Sequence, residues 1–294
     1  PLKSDRQGIP HHCISITDPK KTFTVDTFVR VVRKAIADIL KRDKTPIVVG
    51  GTGFYIDALL YDQSIPNVPP NKKLRIALER KTEKQLFALL KKRDPRRAHT
   101  IDQNNKRRLI RALEIIHATG TSIPTLERAP HYKTFIIGLR PPQELLYKKI
   151  AKRAQLMLQK GLVRETKKLL QNNVSKKRIR ELGFEYQLPL DYIEGKITKK
   201  DLLARLEIET RHYAKRQMTW FKRDKTIQWF MNSKEAFQAL IVIFYCQTWF
   251  WHKEYFLLSF VVLEYINKKE GILLPQSQHF HLISLSSNQT KIQS

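Results

Sequence analysis

Four groups of residues in this chain could do chemistry. The first is Gly50-Gly51-Thr52-Gly53, which follows the β-branched run Ile47-Val48-Val49 and precedes the helical pattern Phe54, Tyr55, Ala58, Leu59. A strand, a glycine turn and a helix in that order present backbone N–H groups at a helix N-terminus. That suits phosphate or another anion, with the Thr52 hydroxyl in reach. A tight turn that binds nothing fits the same residues. The second is Arg153. On a helical wheel Leu146, Ile150, Ala154 and Met157 share one face and Arg153 sits within it. A guanidinium there needs an anion, either a structural carboxylate or a bound ligand.

The third group is Asn105 through Glu114. Leu109, Leu113 and Ile116 form an apolar stripe, while Arg107 and Arg111 stand one turn apart on another face. They can grip successive phosphates of a nucleic acid, or form a solvated face on which Glu114 partly neutralises Arg111. The fourth runs from Arg211 to Arg223. Arg211, Lys215 and Lys222 line one side, flanked by Arg216 and Arg223, and Tyr213, Trp220 and Phe221 line the other. Such a helix docks by its aromatics and shows a basic ridge to a phosphate backbone, or is simply amphipathic. His11 and His12 read as hydrogen-bonded turn residues before acid–base groups. Arg178 and Arg180, ahead of Glu181-Leu182-Gly183-Phe184-Glu185, read as a basic loop.

Positioning these groups takes an α/β framework. Residues 1–62 read as α/β: a loop and short strand at Pro10–Ile16, then a helix from Phe28 to Leu40 with Val29, Val32, Ile36 and Leu40 at helical spacing, then the Pro46–Leu60 unit. Asn67-Val68-Pro69-Pro70 reads as a linker. Residues 63–131 carry short charged helical segments, an insertion without strands. Residues 132–232 return to the sheet with Phe135–Leu139. A helix follows from about Glu144 to Lys160, stopped by Gly161, and another from Asp201 to about Asp224. Residues 233–294 are an aromatic-rich tail of no assigned fold, interrupted at His252-Lys253-Glu254 and patternless after Gly271.

The chain has 294 residues, with 55 Lys and Arg against 27 Asp and Glu, net charge +28. A balance this basic points to a polyanionic partner, most often nucleic acid. The tail from Ser233 carries five lysines and four glutamates, so the excess lies upstream. Cys13 and Cys246 are far apart and have no ligand spacing around them, which argues against zinc and fits a reducing compartment.

Taken in order, the segments resemble a tRNA dimethylallyltransferase, also called a tRNA isopentenyltransferase. The matching pieces are Gly8-Ile9-Pro10-His11-His12, Val49 through Tyr55, Asn105 through Glu114, Leu146 through Glu165, Glu181 through Glu185, and Ala214 through Trp220. The resemblance implies a P-loop NTPase-like, nucleotide-binding (ATP-binding) α/β core, a parallel sheet with flanking helices interrupted by a helical insertion domain that grips the anticodon stem-loop. It implies transfer of a dimethylallyl group from dimethylallyl diphosphate, with magnesium, to the exocyclic amine of the adenosine 3′ of the anticodon in tRNAs reading U-starting codons. By the same resemblance Thr52 contacts the flipped adenosine and Arg153 meets the diphosphate, both as catalytic residues, and Gly50, Gly51 and Gly53 belong to the phosphate and prenyl site. Arg75, Arg107, Arg108, Leu109, Ile110, Arg111, the stretch Arg180-Glu181-Leu182-Gly183-Phe184-Glu185, and Lys215, Arg216 and Gln217 look like tRNA contacts. A cytoplasmic monomer without a membrane anchor is implied as well.

The sequence departs from the family in two places. The family's glycine-rich loop ending in Gly-Lys-Thr or Gly-Lys-Ser, and the aspartate that follows it, have no counterpart here; the Gly50–Gly53 turn is followed by no lysine. The chain is therefore expected to be truncated at its N-terminus and inactive as it stands. A tRNA-binding remnant without catalysis is the alternative. The aromatic tail also differs from the family's short charged C-terminal helix, and reads either as sequence from another frame or as a membrane-associating hairpin.

Overall fold

The computed structural model describes residues 9–61, 68–124, 129–247, 256–262 and 281–286. Gly8, Asn67 and the His252–Glu254 interruption lie outside them. The chain divides into two compact units, one of residues 1–61 with 130–294, the other of residues 62–129.

The first unit is built on a six-stranded sheet. Its strands are β1 (His11–His12), β2 (Lys44–Gly50), β3 (Lys133–Leu139), β4 (Gln228–Phe230), β5 (Phe256–Val262) and β6 (His281–Ser286). They lie in the order β1-β6-β2-β5-β3-β4. β2, β5, β3 and β4 are parallel, and β6 runs antiparallel between β1 and β2. Side chains alternate across this sheet as strand geometry requires. Val48 and Ile136 face a core shared with Phe28, Val32, Ile36, Ile56, Leu59 and Phe221, whereas Ile47, Ile137 and Leu139 face the other way, onto Ala236 and Leu240. The tail, given no fold by its sequence, thus contributes two strands. β5 takes the slot between β2 and β3, with Val261 opposite both Gly50 and Gly138.

Helix α1 (Val25–Lys41) starts where the Thr24 hydroxyl accepts the Thr27 N–H. It buries Phe28, Val32, Ile36 and Ile39, so the inward stripe falls beside the expected Val29 and Leu40, which are half-buried. α2 (Gly53–Leu60) follows β2. Farther along the same unit come α7 (Gln143–Gln159), α8 (Leu162–Gln171), α9 (Lys176–Glu181), α10 (Phe184–Ile193), α11 (Lys199–Phe221) and α12 (Ser233–Gln247). Gly161 sits between α7 and α8 at φ 96°, a left-handed position that favours glycine. The expected basic loop at Arg178 and Arg180 is instead the short helix α9, capped by Ser175.

Among the described residues the second unit is helical: α3 (Lys72–Glu79), α4 (Glu83–Arg93), α5 (Pro95–Thr100) and α6 (Lys106–Thr119). Thr82 and Gln85 form a capping box at the start of α4. Asp94, 1% exposed, caps α5 through the Arg97 N–H and ties down the Ile123 N–H with its other oxygen. Leu78, Leu86, Leu90, Leu109 and Leu113 form the core. No helix among the described residues is long and apolar enough to cross a membrane.

Candidate active site and nucleic-acid interface

β2 delivers the chain into the glycine turn, and α11 closes over it. Tyr213, Gln217 and Trp220 are spaced i, i+4, i+7, so they share one stripe of the helix, and each meets a different part of the turn. The Tyr213 and Thr52 hydroxyls are 3.3 Å apart. Gln217 Nε2 donates to the Gly51 carbonyl at 2.9 Å. Trp220 Nε1 donates to Asp57 Oδ2 at 3.2 Å, which fixes the indole over Gly53. Thr52 stands at the N-cap position of α2, yet makes no capping hydrogen bond through its side chain. Its hydroxyl is directed to Tyr213 rather than spent on the helix.

The glycines serve proximity here. Gly50, Gly51 and Gly53 do not adopt the left-handed conformation, and a Cβ on Gly53 would lie 2.1 Å from Trp220 Cδ1. The expected open anion cradle is therefore corrected at Gly53, whose Cα is covered by the indole. The aromatic cover continues outward: Phe54, 43% exposed, meets Trp220 edge-on with centroids 6.5 Å apart, and the Arg223 guanidinium lies 4.2 Å above the indole.

Behind the turn the site is polar. Burial pushes the Tyr213 phenol up, and the Glu185 carboxylate pushes in the same direction against hydrogen bonds with Thr52 and Gln217. The phenol therefore keeps its proton at neutral pH and can donate. Glu185 is 2% exposed. Next to it along α10, the Tyr186 hydroxyl donates to Glu165 Oε1 at 2.8 Å, and burial raises that carboxyl. Arg153 lies half-buried on α7 between the buried Ile150 and Ala154. α7 and α11 are also joined by the Arg211 guanidinium, 4.6 Å above the Tyr147 ring.

The residues expected at a tRNA surface fall into two sets. Lys215 and Arg216 on α11, Arg107 and Arg108 on α6, and Glu181 are exposed, and Arg75 and Arg111 are half-exposed. Leu109, Ile110, Leu182, Glu185 and Gln217 are 0%, 4%, 2%, 2% and 7% exposed, so they are corrected to interior positions that hold their helices in place. Phe184 is half-buried against the cluster of Leu188 and Leu202. Gly183, at φ 126°, is the backbone hinge between α9 and α10. Arg180 is held by Asp191 at 2.6 Å and Glu194 at 2.8 Å, and Arg178 by the carbonyls of Pro19 and Lys21. From the sequence, Tyr213 and Trp220 read as docking residues alone and Asp57 carries no signal. The i, i+4, i+7 spacing of Tyr213, Gln217 and Trp220 was the available signal.

In the second unit Glu114, 1% exposed, receives Arg75, Arg111 and the Asn71 N–H. Burial pushes its carboxyl up, but the two arginines and the Asn71 amide together outweigh this and hold it at about 2. Its folded value lies below the ordinary 4.5. The stabilisation is therefore complete above pH 4.5 and drains away as pH falls toward 2. We expect amide exchange in α3 and α6 to accelerate over that acid range. In Glu114→Gln this step should be absent from an already faster baseline.

The family profile described as IPP transferase matches residues 1–224. The tRNA dimethylallyltransferase of Anoxybacillus flavithermus is 39% identical over 233 residues, spanning 78% of this chain and 74% of the relative. That of Bacillus subtilis is 37% identical over 237 residues, spanning 78% and 75%. The crystal structure of the full-length tRNA isopentenylpyrophosphate transferase from Bacillus halodurans superimposes with a TM-score of 0.60 at 30% identity, covering 84% of this chain and 81% of that one. A eukaryotic dimethylallyltransferase acting on tRNA gives 0.71 at 26% identity, covering 87% and 70%. The expected P-loop NTPase-like α/β fold agrees with these neighbours. On the profile match and these relatives, the chain belongs to the IPP transferase family.

Proposed function

We propose that this protein transfers the dimethylallyl group of dimethylallyl diphosphate to the exocyclic amine of the adenosine 3′ of the anticodon, in tRNAs that read U-starting codons. The observation that carries the reading is the corner at the end of β2. There the Thr52 hydroxyl, unused by the helix it caps, meets the half-buried Tyr213 phenol next to the Trp220–Phe54 aromatic pair. Such a pair can hold a base amine by hydrogen bonds. In the reaction the amine nitrogen forms a bond to the prenyl carbon, the carbon–oxygen bond to diphosphate breaks, and the proton lost by the amine leaves with the released diphosphate. Arg153 stabilises the charge that gathers on the departing diphosphate.

Magnesium would accompany the diphosphate as part of that substrate. Among the described residues no cluster of three His, Cys, Asp or Glu side chains could hold a metal. Arg107, Arg108, Lys215 and Arg216 are the exposed cations for the tRNA backbone, and the reading places the protein in the cytoplasm with its substrate. Arg107→Ala should weaken stem-loop binding about threefold and reduce the slope of log affinity against log salt by about 1. An unaltered slope removes Arg107 from the interface.

The test is transfer from labelled dimethylallyl diphosphate to an anticodon stem-loop RNA, with the Bacillus subtilis enzyme as reference. Label on the adenosine supports the proposal. Tight, salt-dependent RNA binding without transfer would replace it with a binding-only role, and neither would overturn both.

A further inference from the structure

Two of the arginines expected to touch RNA are tied to one buried acid. The Oε1 atom of Glu114 accepts the Asn71 N–H at 2.6 Å and Arg75 Nε at 2.8 Å. Its Oε2 accepts Arg75 NH2 at 2.8 Å and the Arg111 NH1 group. Arg111 NH2 then reaches the Val68 carbonyl at 2.8 Å. Four donors converge on a carboxylate that is 1% exposed, while the arginine side chains stay 41% and 36% exposed.

A structural staple would need less. Asn71 and one bidentate arginine already occupy both oxygens of the acid, and a second guanidinium adds like-charge repulsion. What the second arginine gives is a surplus. Two positive charges against one negative leave a net positive pair, fixed in position and open to water. The adjoining concavity is lined by Asn71, Lys72, Lys73 and His117, which add cationic and donor groups. An arginine held on a carboxylate has already given up its rotamer freedom, so it meets a phosphate with less entropy left to lose.

We propose that Glu114 is a positioning residue that makes Arg75 and Arg111 a single, preformed grip for an RNA phosphate; this rests on the tRNA reading above. The grip acts as a unit. Removing the acid frees both guanidiniums at once, although it also raises the local positive charge.

That conflict of signs makes the proposal testable. Glu114→Gln keeps the side-chain shape and an acceptor for Asn71 but loses the charge. If Glu114 is only a nearby negative charge, its removal tightens RNA binding, because a repulsion of phosphate is gone. If it positions the arginines, binding weakens by about tenfold, as expected for a lost bidentate contact. The experiment is equilibrium binding of an anticodon stem-loop RNA to the full chain and its Glu114→Gln, Arg75→Ala, Arg111→Ala and combined variants, at several salt concentrations and below their melting temperatures.

Arg75→Ala and Arg111→Ala should each cost far less when combined with Glu114→Gln than in the original chain. Binding by Glu114→Gln that is unchanged or tighter overturns the proposal, as do additive losses. If Glu114→Gln does not fold, Arg75→Lys decides: it keeps the charge but not the bidentate geometry. A several-fold loss supports positioning, and unchanged affinity overturns it. Should the original chain itself fail to bind the RNA with a salt-dependent affinity, the tRNA reading falls; should it bind while Glu114→Gln binds equally well, only the positioning role falls.

Discussion

Gly53→Ala is expected to abolish most transfer activity and to lower the stability of the sheet-bearing unit by about 3 kcal/mol, the upper end for overpacking a filled site. The added methyl would lie 2.1 Å from Trp220 Cδ1 and 2.5 Å from its Cγ and Nε1. Gly53 does not adopt a left-handed backbone, so the cost is crowding rather than strain in φ. The indole has little freedom to yield. Its Nε1 donates to Asp57, Phe54 abuts it edge-on, and Arg223 covers its face. Moving it disturbs α11, and with α11 go the Gln217 hydrogen bond to Gly51 and the Tyr213 contact with Thr52. Thermal melting and transfer rate should fall together, and Trp220→Leu in the same chain should restore part of the melting temperature but little of the rate. A melting temperature within a degree of the original would show that the turn tolerates the methyl and that the Trp220 clamp over Gly53 is loose.

Arg153→Ala is expected to slow transfer by about 100-fold or more, the usual loss when one preorganised electrostatic group is taken from a reacting centre. Stem-loop affinity should stay nearly unchanged. The guanidinium is half-buried on α7 beside Ile150 and Ala154, where holding a charge costs free energy unless an anion meets it. The sequence left open whether that anion is structural. Kinetics separate the two cases. A role in leaving-group stabilisation lowers kcat and spares melting, and Arg153→Lys recovers part of the rate. A purely structural ion pair lowers melting and leaves kcat per folded molecule intact. Normal kcat with saturating diphosphate substrate would remove Arg153 from the chemistry.

The sequence by itself determined the local elements and the family. Apolar patterning marked β2, β3 and the helices α1, α6, α7 and α11, because an apolar stripe at fixed spacing is a local property, whereas α8, α10 and α12 carried no such expectation and α9 read as a loop. The stripe Leu109, Leu113 and Ile116 is buried as its spacing demanded. Gly161 marked the break between α7 and α8 because a left-handed residue favours glycine whatever surrounds it. The order of motifs was enough to name the family before any contact was known.

The tertiary structure decided which polar residues face water and which face one another. Arg107 and Arg75 look alike as letters; one is exposed and the other is tied to Glu114, a partner 39 residues away. Leu109, Ile110, Leu182 and Glu185 sit inside motifs yet are buried, since a motif fixes residue types and not their depth. The contact between Thr52 and Tyr213 spans 161 residues, and the pairing of β5 with β2, which sets Leu258 opposite Ile47, spans still more. Such pairings depend on which surfaces the whole chain brings together, and no periodicity within a short stretch of sequence encodes them.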